Sequence, residues 1–253
     1  MHQPKKPELI LASSSPRRQE LLREIGVPFQ VHAANINEDQ FTNEPPIEYA
    51  LRLAREKAEA AAAQYPQSYV LGADTIVVVD GEVLGKPQDH ADAARMLHKL
   101  SGRAHEVTTA VSLISPSTFA PSAVPPSSIA PNTFAPSAVP PSLIAPNTTA
   151  SSTLPPNPIP PRTTSTIPSE KIAQGTLIQT RASTTKVFFR EIAEAEIQQY
   201  VAGGEPMDKA GAYAIQGGAS RWTDRIEGEF SNVVGLPLSL VTEMLKIAGL
   251  MKS

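Results

Sequence analysis

The hydrophobic and polar positions of the chain form two kinds of segment. Short apolar runs predict buried β-strands, whereas apolar residues spaced three and four apart predict helices with one buried face. The predicted strands cover residues 8–12, 28–33, 68–73, 76–79, 105–114, 176–190 and 222–226. The predicted helices cover residues 16–24, 46–65, 90–100, 193–201 and 237–248. This alternation of strands and helices indicates a mixed α/β protein.

Local signals define the ends of several of these elements. Ser15 and Pro16 are typical of a helix start, with Ser15 as the N-cap and Pro16 at the first helical position. Gly26 is expected to end that helix. The pair Asp80-Gly81 predicts a hairpin turn after the apolar run that precedes it.

Residues 116–174 depart from this pattern. They hold 15 of the 25 prolines of the chain, and no charged residue or His occurs from 107 to 161. Residues 118–132 and 133–147 are two nearly identical copies of a 15-residue repeat. A segment of this composition has few ways to bury a core and is typically disordered or extended. The rest of the chain, 1–115 and 175–253, is predicted to form a single domain.

We expect this proline-rich insertion to lie at the tip of a β-hairpin that the flanking strands form. A long connection at such a tip adds little entropic cost. The insertion is interpreted as a solvated segment of low complexity. The alternative is a ligand for proline-recognising domains, which the lack of a flanking basic residue before Arg162 disfavours.

Composition excludes several function classes. The chain has 22 Lys and Arg against 25 Asp and Glu residues, a net charge of −3, which argues against a nucleic-acid or membrane partner. It has no Cys, so disulfide scaffolds, thiolate zinc sites and a cysteine nucleophile are excluded. No apolar run is long enough for a transmembrane helix, and the N-terminal apolar stretch is too short for a signal peptide. We therefore expect a cytoplasmic protein.

The first candidate for chemistry is the run SSSPRR at 13–18, where a strand leads into a helix start. Free backbone N–H groups and the helix dipole make such a start attractive to phosphate. Arg17 and Arg18 oppose the dipole in the first turn unless an anion joins them. The run therefore predicts a phosphate site, and the alternative is an ordinary capped helix with solvated arginines.

The second candidate is Asp74, which stands with Thr75 between the apolar runs VLGA and IVVV. A carboxylate is expensive to bury unpaired, so an Asp in such a place usually meets a cation, a basic side chain or a reacting water. The alternative is a buried structural Asp that caps a turn.

Nearby, GEVLGKP is not a P-loop, because the spacing is one residue short and Pro follows Lys86. Lys86 is nevertheless within reach of a phosphate from such a turn.

Weaker candidates come from three further segments. Lys57 lies at the edge of the apolar face of a long helix, and Glu38 follows a strand in a loop; alone, both are more often surface residues. The run 208–218 is rich in small residues that allow close backbone approach to a ligand, and the Gln216 amide matches the polar edge of a nucleobase. The five His residues show no metal-ligand spacing.

Together and in this order, these segments resemble the Maf (septum formation) family of nucleoside triphosphate pyrophosphatases. The matching stretches are LASSSPRRQELL, RLAREKA, VLGADTIVVVDGEVLGKP, LSGRAHEVTTAV, DKAGAYAIQGGA and NVVGLPLSLV. The resemblance covers the chain outside the proline-rich insertion, which the family lacks. It implies a curved mixed β-sheet flanked by helices, with two lobes around a cleft, often as a homodimer.

The resemblance also implies roles for particular residues. Asp74 matches the catalytic general base, and Glu38 and Asp74 match the acids expected to hold a divalent metal, Mg²⁺ or Mn²⁺. Three residues match positions that distinguish a dTTP/UTP subgroup from a 7-methyl-GTP subgroup: Arg17, Thr75 and Gln216. Five residues match polar positions of the phosphate site: Ser13, Arg18, Lys57, Lys86 and Lys209.

The function that this implies is hydrolysis of dTTP and UTP to the monophosphate and pyrophosphate, with modified pyrimidine nucleotides as further candidate substrates. One alternative is the same reaction on 7-methyl-GTP. Another is a regulator of cell division that binds nucleotides without hydrolysing them. A third is a proline-rich interaction protein whose insertion dominates its function.

Overall fold

The computed structural model describes residues 9–116, 169–173 and 176–252. Its strands are β1 (Leu9–Leu11), β2 (Phe29–Val31), β3 (Tyr69–Val79), β4 (Glu82–Leu84), β5 (Ala104–Ile114), β6 (Ser169–Ala173), β7 (Thr176–Phe189) and β8 (Thr223–Glu227). Its helices are α1 (Pro16–Glu24), α2 (Pro46–Ala62), α3 (His90–Leu100), α4 (Glu194–Ala202), α5 (Phe230–Val234) and α6 (Leu238–Ile247). Short 3₁₀ turns fill much of the stretch between α4 and β8.

The strands form one mixed sheet, which confirms the predicted α/β class. The order across the sheet is β2-β1-β3-β5-β7-β6, while β4 pairs with β3 and β8 pairs with β7. β1 is parallel to both β2 and β3, and the other pairs are antiparallel. The long strands β3, β5 and β7 therefore form the centre of the sheet. No helix in the described part of the chain is long and apolar enough to cross a membrane.

The predicted pairing of residues 105–114 with residues 176–190 is confirmed, because β5 and β7 are antiparallel neighbours. Ala104 pairs with Phe188 at one end of β5 and Ile114 pairs with Ile178 at the other. Most of the proline-rich insertion lies outside the described residues, so its expected conformation stays a prediction. Five residues assigned to the insertion, Ser169–Ala173, form strand β6 against β7.

Other elements also differ from the sequence prediction, among them the short strand β4, which was not predicted. The two strands expected at 68–73 and 76–79 are one continuous strand, β3, which runs through Asp74 and Thr75. Helix α2 ends at Ala62 rather than at residue 65, because the chain closes into turns there, with the Tyr65 N–H donating to the carbonyls of Ala61 and Ala62. Helix α5 was not predicted, since five residues are too few to show a helical period.

Helix α2 packs unusually closely on β3 at Gly72. A β-carbon built on Gly72 would lie 2.4 Å from the Ala54 carbonyl oxygen and 2.7 Å from the Ala58 backbone nitrogen. Only a residue without a side chain fits between the two backbones. The absence of that side chain brings the helix face that carries Lys57 against the strand that carries Asp74.

Candidate active site

A cleft of about 730 Å³ opens beside the sheet, and its walls come from distant parts of the chain. All ten residues that the sequence analysis singled out line it: Ser13, Arg17, Arg18, Glu38, Lys57, Asp74, Thr75, Lys86, Lys209 and Gln216. They lie on the start of α1, the loop after β2, helix α2, strand β3, the loop after β4 and the 3₁₀ segment that follows α4. Their placement in one cleft is a finding, whereas their individual roles stay predictions.

Lys57 joins the two carboxylates of the site. Its Nζ lies 2.7 Å from Asp74 Oδ1 and 2.6 Å from Glu38 Oε1. The side chains of Lys57 and Asp74 are only 10% and 11% exposed, so this pair lies inside the protein, while Glu38 is 44% exposed at the rim. A buried charge requires such a partner. Of the partners expected for a buried Asp74, a basic side chain is therefore present in the structure.

Glu38 is the more exposed of the two acids, and it has a second basic neighbour. Lys86 Nζ lies 3.5 Å from Glu38 Oε2. Burial opposes ionisation of Glu38, but the hydrogen bond and charge of Lys57, together with the charge of Lys86, outweigh it and lower the pKa of Glu38. Glu38 is therefore a carboxylate at neutral pH.

Tyr49 holds the Glu38 loop in place and was missed by the sequence analysis. Its hydroxyl donates to the backbone carbonyl of Glu38 at 2.6 Å. Burial raises the pKa of Tyr49 to about 12, and the negative charges of Asp74 and Glu38 add to this effect. Tyr49 lies two helical turns before Lys57, and this spacing, which puts both on one face of α2, is the signal that would have found it.

Three hydrogen bonds fix the Arg18 guanidinium. Its Nε donates to the Gly235 carbonyl at 2.8 Å, and its two terminal nitrogens donate to Ser13 Oγ at 3.3 Å and Thr75 Oγ1 at 2.9 Å. Burial lowers the pKa of this guanidinium, while the charge of Asp74 raises it. A guanidinium has five N–H groups, so some remain for an anion in the cleft.

A chain of hydrogen bonds runs from Thr75 into the core. Thr75 Oγ1 lies 3.0 Å from Thr109 Oγ1, its register partner on β5, and Thr109 Oγ1 donates to the Asn232 carbonyl at 2.8 Å. Since the carbonyl can only accept, the Thr109 hydrogen is committed to it, and Thr75 must be the donor to Thr109. The Thr75 hydroxyl therefore accepts from Arg18 and donates to Thr109.

Asn232 anchors the far end of this chain and was also missed. It is fully buried; its Oδ1 accepts from the Thr109 N–H at 3.2 Å, and its Nδ2 donates to the Val107 carbonyl and to Thr185 Oγ1, each at 2.9 Å. These bonds fix α5, and with it Gly235, against β5 and β7. A polar residue beside the apolar run VVGLPLSLV was the available signal.

The start of α1 has the geometry predicted from its sequence. The Ser15 side chain caps the helix by accepting from the Arg18 N–H, and no acidic residue occupies the first turn. Arg17 and Arg18 therefore lie at the positive end of the helix dipole, in a first turn that contains no acidic residue. An anionic ligand at this helix start would offset the repulsion between the two arginines and the helix dipole.

Another part of the cleft wall is the segment that carries Lys209 and Gln216. The Gly211 N–H donates to the Gly85 carbonyl at 3.0 Å, and a β-carbon on Gly211 would lie 2.9 Å from the Val77 side chain. This contact docks the segment against β3 and β4. Lys209 is ion-paired with Asp208, and the hydrogen bond from Lys209 lowers the pKa of Asp208. Gln216 is exposed to the cleft.

The donor set of the site fits a hard divalent cation only with help from a ligand. Within residues 9–116 and 176–252, no group of three or more His, Asp or Glu side chains is arranged to hold a metal ion. The two carboxylates of Glu38 and Asp74 do converge on Lys57 Nζ. Mg²⁺ commonly binds through one or two carboxylates together with phosphate oxygens and waters, so this pair suits a cation that arrives with a phosphate ligand.

The chemistry that this cleft can perform follows from its charges. Five basic side chains from four segments line the cleft together with four carboxylates; the basic residues are Arg17, Arg18, Lys57, Lys86 and Lys209, and the acids are Glu38, Asp39, Asp74 and Asp208. Several cations on one hollow suit a ligand with several negative charges. A carboxylate that is fixed within that hollow is placed to accept a proton from water.

Known proteins are similar to this chain over nearly its full length. Residues 8–129 and 163–248 match the family model described as "Maf-like protein". A protein of Koribacter versatilis (strain Ellin345) named dTTP/UTP pyrophosphatase is 42% identical over 243 residues, covering 96% of this chain and 95% of the relative. Proteins of the same name from Geobacter metallireducens and Symbiobacterium thermophilum are each 40% identical, covering 97% and 94% of this chain and 98% and 92% of the relatives.

Proposed function

The chain belongs to the Maf family, and from this premise we propose that it is a nucleoside triphosphate pyrophosphatase that hydrolyses dTTP and UTP to the monophosphate and pyrophosphate. The observation that carries the proposal is the Lys57 ammonium, which joins Asp74 and Glu38 inside a cleft lined by four further cations. The relatives that bear the name dTTP/UTP pyrophosphatase support the choice of substrates.

The triphosphate lies among the basic side chains in this proposal. The N-terminus of α1 offers the positive end of its helix dipole, and Arg17 and Arg18 add positive charge there. Lys86 and Lys209 also line the cleft, from the loop after β4 and from the segment that docks against it. Charge neutralisation at several phosphate oxygens is what this reaction requires, because negative charge spreads over them in the transition state.

Asp74 is the general base. A water molecule attacks one phosphorus of the bond between the α and β phosphates, Asp74 takes a proton from that water, and the monophosphate and pyrophosphate separate. Lys57, at 2.7 Å from Asp74 Oδ1, holds the carboxylate in one orientation. A positioned base of this kind contributes roughly 10²–10⁴ in rate.

A divalent metal, Mg²⁺ or Mn²⁺, would be held by Glu38 and Asp74 together with the phosphates of the substrate. When bound, it supplies charge neutralisation and lowers the pKa of a coordinated water. Glu38 is suited to this role because it is ionised and stands at the mouth of the cleft. Tyr49 fixes its position through the Glu38 backbone.

Base recognition falls to Gln216, Thr75 and Arg17. The Gln216 amide can donate from its nitrogen to O4 and accept from N3–H of thymine or uracil with its oxygen. The Thr75 hydroxyl already donates to Thr109, so Thr75 contributes through its small size and through the placing of Arg18. Since such substrates belong to the cellular nucleotide pool, we place the protein in the cytoplasm.

A substrate panel tests the proposal. The purified protein is incubated with dTTP, UTP, a modified pyrimidine triphosphate, GTP and 7-methyl-GTP, each with Mg²⁺ or Mn²⁺, and pyrophosphate release is measured. We expect release from dTTP and UTP above all others. Preferred release from 7-methyl-GTP would move the chain to that specificity, and tight binding without any product would make it a non-hydrolysing nucleotide regulator.

A further inference from the structure

The loop that carries Gln216 is a tight turn whose two ends are held by side chains from outside the cleft. The Gly217 N–H donates to the Ala214 carbonyl at 3.0 Å, which closes a four-residue turn with Gln216 in its third position. The Ala214 N–H donates to the Tyr200 hydroxyl at 3.1 Å. The Gly218 N–H donates to both carboxylate oxygens of Glu205, at 3.1 and 3.2 Å.

Tyr200 and Glu205 are themselves joined. The Tyr200 hydroxyl donates to Glu205 Oε1 at 2.9 Å, so a single line of hydrogen bonds runs from one end of the turn to the other. Burial raises the pKa of Tyr200 well above its usual range, which keeps this donor protonated. The Tyr200 ring packs edge-to-face on Trp222, which is fully buried, with ring centroids 4.9 Å apart. The hydrogen-bonded pair of Tyr200 and Glu205, called the brace below, is therefore anchored to the hydrophobic core.

The Glu205 carboxylate lies so close to Gly217 that no side chain fits at residue 217. A β-carbon on Gly217 would lie 1.9 Å from Glu205 Oε1. The carboxylate thus occupies the place that a side chain at residue 217 would take, directly beside Gln216. Neither Glu205 nor Tyr200 lines the cleft, so both act on Gln216 from behind.

We propose that Glu205 and Tyr200 are positioning residues for nucleobase selection, which fix the Gln216 amide against the base of a bound nucleoside triphosphate. The inference rests on the proposed function, because it assumes that Gln216 meets the base. A hydrogen-bonding amide discriminates between bases only when its donor and acceptor are held in place. Without the brace, the turn would let Gln216 rotate to suit other bases.

The backbone of Glu205 makes a separate contact, so the roles of its side chain and its backbone can be tested apart. Lys209 Nζ, predicted to bind phosphate, donates to the Glu205 carbonyl oxygen at 3.4 Å. A change of the Glu205 side chain leaves that carbonyl in place. Loss of the carboxylate should therefore disturb recognition of the base and spare recognition of the phosphates.

The first experiment compares dTTP with dCTP, which presents an amino group and an unprotonated N3 where thymine presents O4 and N3–H. For Glu205→Ala we expect the ratio of kcat/KM for dTTP over dCTP to fall about tenfold, the worth of a charged hydrogen bond. The loss should appear mainly as a higher KM for dTTP. Glu205→Gln retains an acceptor oxygen and should recover part of the ratio, and Tyr200→Phe should lower it.

Two controls separate positioning from general damage. Glu243→Gln removes a surface acid that pairs with Arg181 away from the cleft and should leave the ratio unchanged. Binding of inorganic tripolyphosphate, measured by calorimetry, should be the same in wild type and Glu205→Ala. An unchanged dTTP to dCTP ratio, or a parallel loss of tripolyphosphate binding, would overturn the proposal.

A double-mutant cycle tests the contact between Glu205 and Gly217. Gly217→Ala should lower the ratio because its new methyl group displaces the carboxylate. In the double variant Gly217→Ala, Glu205→Ala the clash is gone and the brace is already lost, so the two effects should not add. Full additivity would contradict the proposal.

The role of the brace and the proposed function can fail independently in these experiments. If the wild-type protein hydrolyses neither dTTP nor UTP, the proposed function fails on the wild-type data alone. The ratio is then measured as relative binding of dTTP and dCTP, and an unchanged ratio in Glu205→Ala overturns the brace by itself.

Discussion

Gly72 lies so close to Ala54 that a β-carbon on the glycine would stand 2.4 Å from the alanine carbonyl oxygen. This single contact sets the distance between α2 and β3. It therefore also sets the distance between Lys57, three residues after Ala54, and Asp74, two residues after Gly72.

Gly72→Ala should push α2 away from β3. We expect a loss of about 1–3 kcal/mol in the free energy of unfolding, the usual cost of overpacking, together with lower activity as Lys57 withdraws from Asp74. Urea unfolding and pyrophosphate release measure the two effects. Gly85→Ala is the matched control for stability, because a β-carbon there meets nothing within 4 Å. Equal stability of the two variants would contradict the close-packing argument.

Asp74→Asn should abolish most of the turnover while the fold survives. Asparagine has the shape of aspartate and still accepts a hydrogen bond from Lys57, but it cannot take a proton from water. We expect pyrophosphate release to fall roughly 10²–10⁴-fold, with a thermal unfolding midpoint near that of the wild type. Near-normal turnover would remove Asp74 from the role of general base.

Thr109→Val should act on the cleft from within the sheet. It leaves the Thr75 hydroxyl without its acceptor and the Asn232 carbonyl without its donor, and a buried polar group left unpaired costs about 1–3 kcal/mol. Thr109→Ser keeps the hydroxyl and is the matched control. Denaturant unfolding of both variants distinguishes the lost hydrogen bonds from a simple loss of volume, since the serine variant should retain most of the stability.

His105 should make the fold sensitive to acid. It is 2% exposed, its Nε2 lies 2.8 Å from the Tyr213 hydroxyl, and burial lowers its pKa from 6.5 to about 4. The unfolded chain takes up a proton near pH 6.5 that the folded chain refuses until about pH 4. Stability should therefore fall as the pH drops through this window, by about 3 kcal/mol in total from this residue.

Urea unfolding at pH 7 and at pH 4.5 measures this effect. The variant His105→Gln has no group that titrates there, so its stability should decline less between the two pH values. An equal decline in both proteins would show that other groups cause the acid sensitivity.

Removal of residues 117–168 should leave hydrolysis of dTTP intact. All ten residues predicted for the site lie outside this range, and strand β6 begins just after it. The variant joins Pro116 to Ser169 through a short glycine-containing linker, and kcat/KM is compared with that of the full chain. A large loss of activity would give the insertion a part in catalysis, whereas loss of a binding partner with full activity would support the alternative of a proline-rich interaction segment.

The sequence predicted elements well where the signal was local. Ser15 and Pro16 predicted the start of α1, and the last helix, predicted at 237–248, is α6 at Leu238–Ile247. The interruption expected in β3 was wrong for a tertiary reason. Asp74 and Thr75 read as a break between apolar runs, but Lys57 and Thr109 satisfy them, so the strand continues through both.

The site could be predicted only in part. The ten candidate residues carry recognisable charges or motifs, and the resemblance to a family ordered them. Tyr49, Asn232 and Glu205 were missed, because each acts by holding another part of the site, and their contacts form only in the folded chain. Asn232, for example, meets Thr109 and Thr185, which are brought to it only by the pairing of β5 with β7.

The register of the central strands also bears on how such a protein can evolve. β5 ends at Ile114, which pairs with Val70, whereas Asp74, the proposed general base, pairs with Ala110. The four residues between these points span roughly 13 Å of strand. None of the ten residues predicted for the site belongs to this connection, so a gene can lengthen it by duplicating a short repeat without replacing any of them, and natural selection is free to keep, reshape or discard the added sequence.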